Sequence, residues 1–122
     1  MDFKKFEEKI GIDFKDKGLL KKAFTHRSYI NESGGSYWDH NERLEYLGDA
    51  VLELVVSTFL FSKFPEDKEG VLTSYRSALV NTMTIASAGR KLGMNDFLLL
   101  SKGESKDIGR ARKSILANAF EA

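Results

Sequence analysis

The sequence contains no cysteine, only one proline and only two histidines. Without cysteine, disulfides and thiolate metal sites are excluded, and zinc sites built from histidine and cysteine are not expected. Any metal must therefore be held mainly by oxygen ligands. No apolar run has the length of a signal-peptide core or a membrane span, so neither export nor a membrane partner is indicated. The lack of cysteine also fits a reducing, cytoplasmic location.

Neither sign of charge is in excess, because 19 Lys and Arg balance 18 Asp and Glu. Net charge therefore gives no argument for a polyanionic partner. At 122 residues, of which 42% are hydrophobic, the chain has the size of one domain that can bury a core. Its apolar residues recur at spacings of three and four, which predicts an all-α domain.

Local signals predict where the helices begin and end. The predicted helices are residues 2–10, a segment around 19–24, residues 41–63, residues 71–83, a segment from Asn81 or Thr82 to Gly93, and a last helix capped by Ser114. The Gly- and Ser-rich stretch 31–39 is expected to be a flexible loop. Residues 52–61 are apolar on almost every side, which predicts that the long acidic helix is the central, surrounded helix of the bundle.

Gly48 lies in the middle of this long helix. A helical glycine costs about 1 kcal/mol relative to alanine, and a packing reason is the usual compensation. We therefore expect another backbone to pass close to Gly48.

Four acidic residues recur along the long helix at spacings of three, four and four: Glu42, Glu45, Asp49 and Glu53. At this spacing they form one stripe, and each like-charged pair costs roughly 0.2–0.5 kcal/mol. A positive group is expected among them, either a divalent cation such as Mg²⁺ or Mn²⁺ or a basic partner segment. An ordinary solvated face is the alternative.

The last predicted helix carries a smaller version of this pattern, because Asn118 and Glu121 are three residues apart and share a face. If this helix packs against the acidic helix, oxygen ligands from both would surround one or two divalent ions. Such an arrangement activates water and stabilises the leaving oxygen in phosphodiester hydrolysis.

Residues 41–52, NERLEYLGDAVL, resemble the defining motif of the ribonuclease III family. Flanking matches cover residues 23–29, 64–65, 69–73, 78–80, 102–104 and 114–122. The resemblance implies a helical endonuclease domain that forms a homodimer. It also implies Mg²⁺-dependent cleavage of double-stranded RNA, with Mn²⁺ able to substitute, in RNA processing such as rRNA maturation. The products implied are 5′-phosphate and 3′-hydroxyl ends.

By this resemblance the catalytic residues are Glu45, Asp49 and Glu121, and the metal ligands are Glu42, Glu45, Asn118 and Glu121. Glu45 and Glu121 would hold the metal that activates water, Asp49 would help to fix the site, and Glu42 would lie nearer the rim. Asn118 departs from the family pattern, in which an aspartate is common. An amide oxygen still coordinates, but it carries no charge and binds a cation less strongly. A catalytically impaired domain that binds RNA or assembles with a ribonucleoprotein is therefore the alternative.

The resemblance also implies residues that contact RNA and a partner. Glu69 matches a position near the scissile bond, with a plain helix-start acid as the alternative. The RNA-binding cations are predicted in the one local basic excess: Lys102, Arg110, Arg112 and Lys113. A solvated loop with incidental charge is the alternative reading of that segment. Tyr46 matches an aromatic residue that inserts into the partner subunit, with burial in its own core as the alternative. His26 is assigned a hydrogen-bonded structural role and no catalytic role.

In the ribonuclease III family the last helix normally continues past the match at residues 121–122, another helix follows, and a separate domain that binds double-stranded RNA is common. We therefore expect residues 1–122 to be a C-terminally incomplete endonuclease domain without such a binding domain. A purely structural helical bundle with a solvated acidic face is a third reading, and it would require the long motif match to be accidental.

Overall fold

A computed structural model describes residues 1–122, and eight α-helices carry the fold. They are α1 Phe3–Ile10, α2 Lys17–Ala23, α3 Arg27–Ser33, α4 Glu42–Lys63, α5 Glu69–Leu79, α6 Thr82–Lys91, α7 Lys102–Lys106 and α8 Arg110–Glu121. Two 3-10 helices, Tyr37–Asp39 and Met94–Phe97, precede α4 and follow α6. The only β-type pairing is an isolated bridge between Thr25 and Leu99. The prediction of an all-α domain is confirmed, and no helix is both long and apolar enough to cross a membrane.

Several helix boundaries follow the predicted local signals. Asp2 caps α1 by accepting a hydrogen bond from the Lys4 amide at 3.1 Å, and Gly11 ends α1 with a φ of 70°. Asn81 caps α6 by accepting from the Thr84 amide at 3.0 Å. The acidic helix α4 also matches the predicted range 41–63 within one residue. These signals act within one helical turn, so the local sequence suffices to locate them.

Several helices differ from the predictions. Helix α5 covers Glu69–Leu79 instead of residues 71–83, and α7 forms where no helix was predicted. Helix α3 covers part of the stretch expected to be a loop, because His26 caps its first turn and Ile30 is buried beneath it. Helix α8 begins at Arg110 instead of after Ser114, so Ser114 lies inside the helix and does not cap it. The local composition is polar at α3 and at the start of α8, but contacts with distant parts of the chain favour a helix there. Examples are the hydrogen bonds between Ser28 and Ser101 and between Arg112 and Asn95.

The core consists of two clusters of buried side chains. The larger one is formed by Phe6, Leu20, Phe24, Met94, Leu98, Ile115, Leu116 and Ala119. The smaller one is formed by Ile85, Ala86 and Ala117. Helix α8 contributes to both clusters, and the phenyl rings of Phe6 and Phe24 meet edge to face at 4.9 Å between centroids. Helix α8 is therefore the most deeply packed helix of the domain.

The prediction that α4 is the surrounded central helix is wrong. Leu60 is its only buried residue, whereas Leu54 is 68% exposed and Phe61 is 74% exposed. Helix α4 packs mainly against α5 and α8. An all-round apolar composition shows that a helix is suited to burial, but burial also requires neighbours, and in this chain the neighbours leave much of α4 exposed.

Gly48 lies where α4 meets the end of α8. A Cβ atom on Gly48 would overlap the carbonyl oxygen of Glu121, so the two backbones are in direct contact. The predicted close approach of another backbone is confirmed. Because only glycine permits this approach, Gly48 lets Glu121 lie beside the acidic residues of α4.

Candidate active site

A large cavity, about 1020 Å³, is lined by residues from α4, from the end of α8 and from the start of α3. Its lining includes Glu42, Glu45, Asp49, Asn118 and Glu121. These are the five residues that the sequence assigns to catalysis and metal binding. The fold thus brings together side chains from two helices that are distant in sequence. Glu53, the fourth acid of the stripe, lies outside this lining.

The first turn of α4 is fixed by contacts to the α2–α3 turn. The buried Asn41 amide nitrogen donates to the carbonyl oxygen of Ala23 at 2.9 Å, and the Asn41 backbone N–H donates to the carbonyl oxygen of Thr25 at 3.0 Å. His40 Nδ1 accepts from the Glu42 amide at 3.3 Å. These bonds hold the start of the helix, and the helical spacing then directs Glu42, Glu45 and Asp49 to the same side.

The carboxylates of the cavity disfavour one another's charge. Burial, followed by the charges of Asp49, Glu45 and Glu53, raises the pKa of Glu121 to about 7. Burial, followed by the charges of Glu42 and Asp49, also raises the pKa of Glu45. Both shifts have the cause expected when like charges share a partly desolvated site without a compensating cation.

Asn118 connects the two helices inside this site. With its amide oriented to suit its neighbours, the nitrogen donates to Glu45 Oε1 at 3.3 Å and to the carbonyl oxygen of Ser114 at 3.2 Å. An aspartate at this position would instead place another negative charge against Glu45. The departure from the family pattern therefore exchanges a repulsive contact for a hydrogen bond.

The donor set fits a hard divalent cation by its chemistry, because carboxylate and amide oxygens are the ligands that Mg²⁺ and Mn²⁺ prefer. Glu45 and Glu121 also have raised pKa values, and a cation in the site would stabilise their charged forms. No three His, Cys, Asp or Glu side chains are close enough to hold one ion as they stand. One or two of these carboxylates, together with the Asn118 amide oxygen and water, would be the ligands of such an ion.

Two further residues of the cavity lining, His26 and Arg27, received no site role from the sequence. Arg27 Nη1 lies 3.5 Å from Glu42 Oε1 and forms an ion pair across the cavity rim. Mainly because of burial, the pKa of His26 lies below its usual value. The only sequence signal for His26 and Arg27 is that residues 23–29 resemble a segment of the family. That resemblance does not show that these two residues lie beside the acidic helix.

The predicted RNA-binding residues lie outside the cavity lining. Glu69, Lys102, Arg110 and Lys113 are exposed on α5, α7 and the first turn of α8. Arg112 differs, because its Nη2 donates to the carbonyl oxygens of Glu104 and Ser105 at 3.0 and 2.9 Å, and its Nη1 donates to Asn95 Oδ1 at 3.3 Å. Arg112 thus holds α7 against α8, a structural role that the sequence did not predict, while phosphate binding by this residue stays a prediction.

Tyr46 projects from α4 at the edge of the same cavity and is 83% exposed. The alternative reading, a tyrosine buried in its own core, is therefore wrong. Large apolar side chains on α4, including Leu47, Val51 and Leu54, are exposed as well. Together with Tyr46 they form an apolar surface along α4.

Comparison with known proteins gives consistent matches. A family profile described as Ribonuclease-III-like matches residues 16–122. "Ribonuclease 3" from Bacillus velezensis is 48% identical over 120 residues, which are 98% of this chain and 48% of that protein. "Ribonuclease 3" from Oleidesulfovibrio alaskensis is 51% identical over 98% of this chain and 52% of its own length. The chain thus spans about half the length of the curated relatives that it matches.

Solved structures give the same picture. A nuclease domain of ribonuclease III from Campylobacter jejuni, described for structural flexibility in a region involved in dimer formation, has a TM-score of 0.87 and 43% sequence identity. The alignment covers 98% of this chain and 80% of that chain. A second structure of the same nuclease domain has a TM-score of 0.84.

Proposed function

Since the chain belongs to the ribonuclease III family, we propose that it is a metal-dependent endoribonuclease that hydrolyses phosphodiester bonds of double-stranded RNA. The products would carry 5′-phosphate and 3′-hydroxyl ends. The observation that carries this proposal is the single cavity in which Glu45, Asp49 and Glu121 meet from two helices. RNA processing in the cytoplasm, including rRNA maturation, is the setting that we propose.

In this proposal Glu45 and Glu121 bind the metal directly, Asn118 contributes its amide oxygen, and Asp49 helps to fix the site. Bound Mg²⁺, or Mn²⁺ in its place, would polarise water and offset the negative charge that develops on the phosphate. Glu42 lies at the rim and is partly neutralised by Arg27. Glu121 must be ionised to bind the cation, so its raised pKa makes metal binding dependent on pH near neutrality.

We further propose that the chain acts as a homodimer in which Tyr46 inserts into the partner subunit. The exposure of Tyr46 and of the apolar side chains along α4 supports this, because such a surface favours association. A dimer would bring two acidic cavities together, so that each cuts one strand of the duplex.

The duplex itself would be bound mainly through its phosphates and 2′-hydroxyls, as is usual for double-stranded RNA. The exposed cations Lys102, Arg110 and Lys113 are proposed to supply phosphate contacts, and Glu69 is proposed to act near the scissile bond. Helix α7 is held by Arg112, so Lys102 stands on an ordered element.

One observation favours a second candidate function. The neutral amide of Asn118 is hydrogen-bonded to Glu45, so the site carries one negative charge fewer than the family pattern provides. A domain that binds structured RNA or assembles with a ribonucleoprotein without cutting would be compatible with that change.

Cleavage of a perfectly paired RNA, with Mg²⁺ or with a chelator, separates the two functions. We expect Mg²⁺-dependent cleavage by the parent and a loss of about 100-fold or more in Glu121→Gln, because a metal ligand is removed. Glu8→Gln is the matched control, since it removes an exposed acid of α1 that lies outside the cavity lining. Cleavage by Asn118→Asp but not by the parent would support the non-cutting function instead.

A further inference from the structure

The imidazole of His26 is oriented by hydrogen bonds on one side of its ring. Its Nδ1 accepts a hydrogen bond from the Ser28 backbone N–H at 3.2 Å and lies 2.7 Å from Ser28 Oγ. A backbone N–H only donates, so Nδ1 must present its lone pair. The neutral ring is therefore protonated at Nε2.

The hydroxyl of Ser28 is itself held from the other side. Ser28 Oγ accepts a hydrogen bond from the Ser101 backbone N–H at 3.0 Å, which leaves the hydroxyl proton free to point at His26 Nδ1. The His26 backbone N–H also donates to the carbonyl oxygen of Leu99 at 3.0 Å. Residues far apart in sequence thus fix both the ring and its tautomer, and burial favours the neutral form by lowering the pKa of His26.

The other ring nitrogen is open. Arg112 Nε is the only buried side-chain nitrogen or oxygen in the chain that lacks a hydrogen-bond partner. His26 Nε2 also has no partner within the chain, but it is not among the buried atoms, so it is accessible to solvent. His26 lines the acidic cavity. The Nε2–H group is consequently a free donor on a residue that lines the α3 side of that cavity, and Glu104 of α7 is the charge that acts most strongly on the ring.

Arg27 places a cation on the same side. Its guanidinium is largely exposed and contacts only Glu42, at 3.5 Å, so most of its N–H groups are free. The side-chain amide donors in the lining are already used, because Asn41 donates to Ala23 and Asn118 donates to Glu45. Apart from the Tyr46 hydroxyl at the edge, His26 and Arg27 are the free donors of a cavity that is otherwise acidic.

We propose that His26 Nε2–H and the Arg27 guanidinium form a phosphate-binding subsite in the wall of the acidic cavity. The ligand is a backbone phosphodiester of the RNA strand that enters the cavity, so this inference rests on the proposed function. A cavity of carboxylates repels a polyanion, and a guanidinium beside a neutral donor offsets that repulsion. His26 then combines the predicted structural role, through Nδ1, with substrate binding through Nε2.

Two variants separate the subsite from the fold. Arg27→Gln removes the cation, while His26→Asn keeps an acceptor that can cap the Ser28 amide but removes the Nε2–H donor. Arg90→Gln is the matched control, because Arg90 is exposed on α6 and does not line the cavity. Thermal unfolding would establish that each variant is folded before binding is compared.

Binding to a perfectly paired RNA, with Ca²⁺ in place of Mg²⁺ to limit cleavage, would be measured over a range of salt concentrations. We expect Arg27→Gln to weaken binding roughly tenfold and to reduce the slope of log K against log salt by about 1, because one phosphate contact is lost. His26→Asn should weaken binding about threefold to tenfold with an unchanged slope, since the lost donor is neutral. Arg90→Gln should bind like the parent.

The subsite would be overturned if folded Arg27→Gln and His26→Asn bound RNA with the affinity and salt slope of a parent that binds and cleaves. It would also be overturned if Arg90→Gln produced the same loss as Arg27→Gln. A parent that binds no duplex would contradict the proposed function itself and the RNA subsite with it. Nitrogen chemical shifts of the His26 ring provide a separate check, and a proton on Nδ1 in the free protein would contradict the tautomer on which the subsite depends.

Discussion

Helices α4 and α8 build the acidic cavity together, but they are held in place in different ways. Helix α8 buries Ile115, Leu116, Ala117 and Ala119 in the two core clusters, whereas α4 buries only Leu60. The position of Asn118 and Glu121 thus depends on hydrophobic packing. Glu42, Glu45 and Asp49 depend on the polar contacts at the start of α4 and on its contact with α8 at Gly48. The α8 side of the site is thus part of the hydrophobic core, whereas the α4 side is held against that core by a few local contacts.

The largest expected difference between the two helices is in stability. Leu116→Ala should lower the free energy of unfolding by about 2–5 kcal/mol, because it leaves a cavity in the core of α8. Leu54→Ala on α4 should change it by only about 0.5 kcal/mol or less in the free protomer, because Leu54 is exposed. Urea unfolding of both variants measures the contrast. Equal losses would contradict it, and a loss in Leu54→Ala that grows with protein concentration would show that a second copy covers Leu54.

The contact between the helices should give a smaller but more specific effect. Gly48→Ala forces the backbone of Glu121 away from α4 and should cost roughly 1–3 kcal/mol, as overpacking does. Cleavage activity should fall as well, because Glu121 moves relative to Glu45. Gly70→Ala is the matched control, since a Cβ there meets no atom within 4 Å. The expectation fails if Gly48→Ala is as stable and active as Gly70→Ala.

The smallest expected effect is the pH dependence of stability that comes from Glu121 on α8. The pKa of Glu121 in the fold, about 7, lies above its ordinary value of 4.5, so the ionised form is disfavoured. Its contribution to stability is therefore fully present below pH 4.5 and is lost as the pH rises through about 7. Without metal, the melting temperature of the parent should fall relative to that of Glu121→Gln between pH 4.5 and 7.5.

Added Mg²⁺ should reverse that relative loss above pH 7 and should stabilise the parent more than Glu121→Gln, because the ion binds the charged carboxylate. Comparison with the variant cancels the opposing pH dependence of Glu7, whose pKa is held low chiefly by its hydrogen bond from Lys17. A difference between parent and variant that does not change with pH would contradict the raised pKa of Glu121.

Sequence-based predictions were accurate where the signal acts between neighbouring residues, and they failed where the outcome depends on distant parts of the chain. The caps at Asp2, Gly11 and Asn81 act within one turn, and the predicted helix ends there were found. The burial of α4 was predicted wrongly, because periodicity describes what a helix could bury and not which neighbours the chain provides. The structural role of Arg112 was missed for a similar reason, since its carbonyl partners are set by how α7 folds back on α8.

Four features of the protein follow from its amino-acid sequence: the helical class, several helix boundaries, the set of acidic residues and the need for glycine at position 48. They do so because helical spacing, capping and a long family motif are properties of neighbouring residues. Two other features depend on the folded chain: these acids share one cavity with His26 and Arg27, and α8 instead of α4 is the buried helix. Those features depend on which distant segments pack together and exclude water. Two hydrogen bonds illustrate this, one from the Ser101 backbone N–H to Ser28 Oγ and one from the Asn41 side chain to the Ala23 carbonyl oxygen.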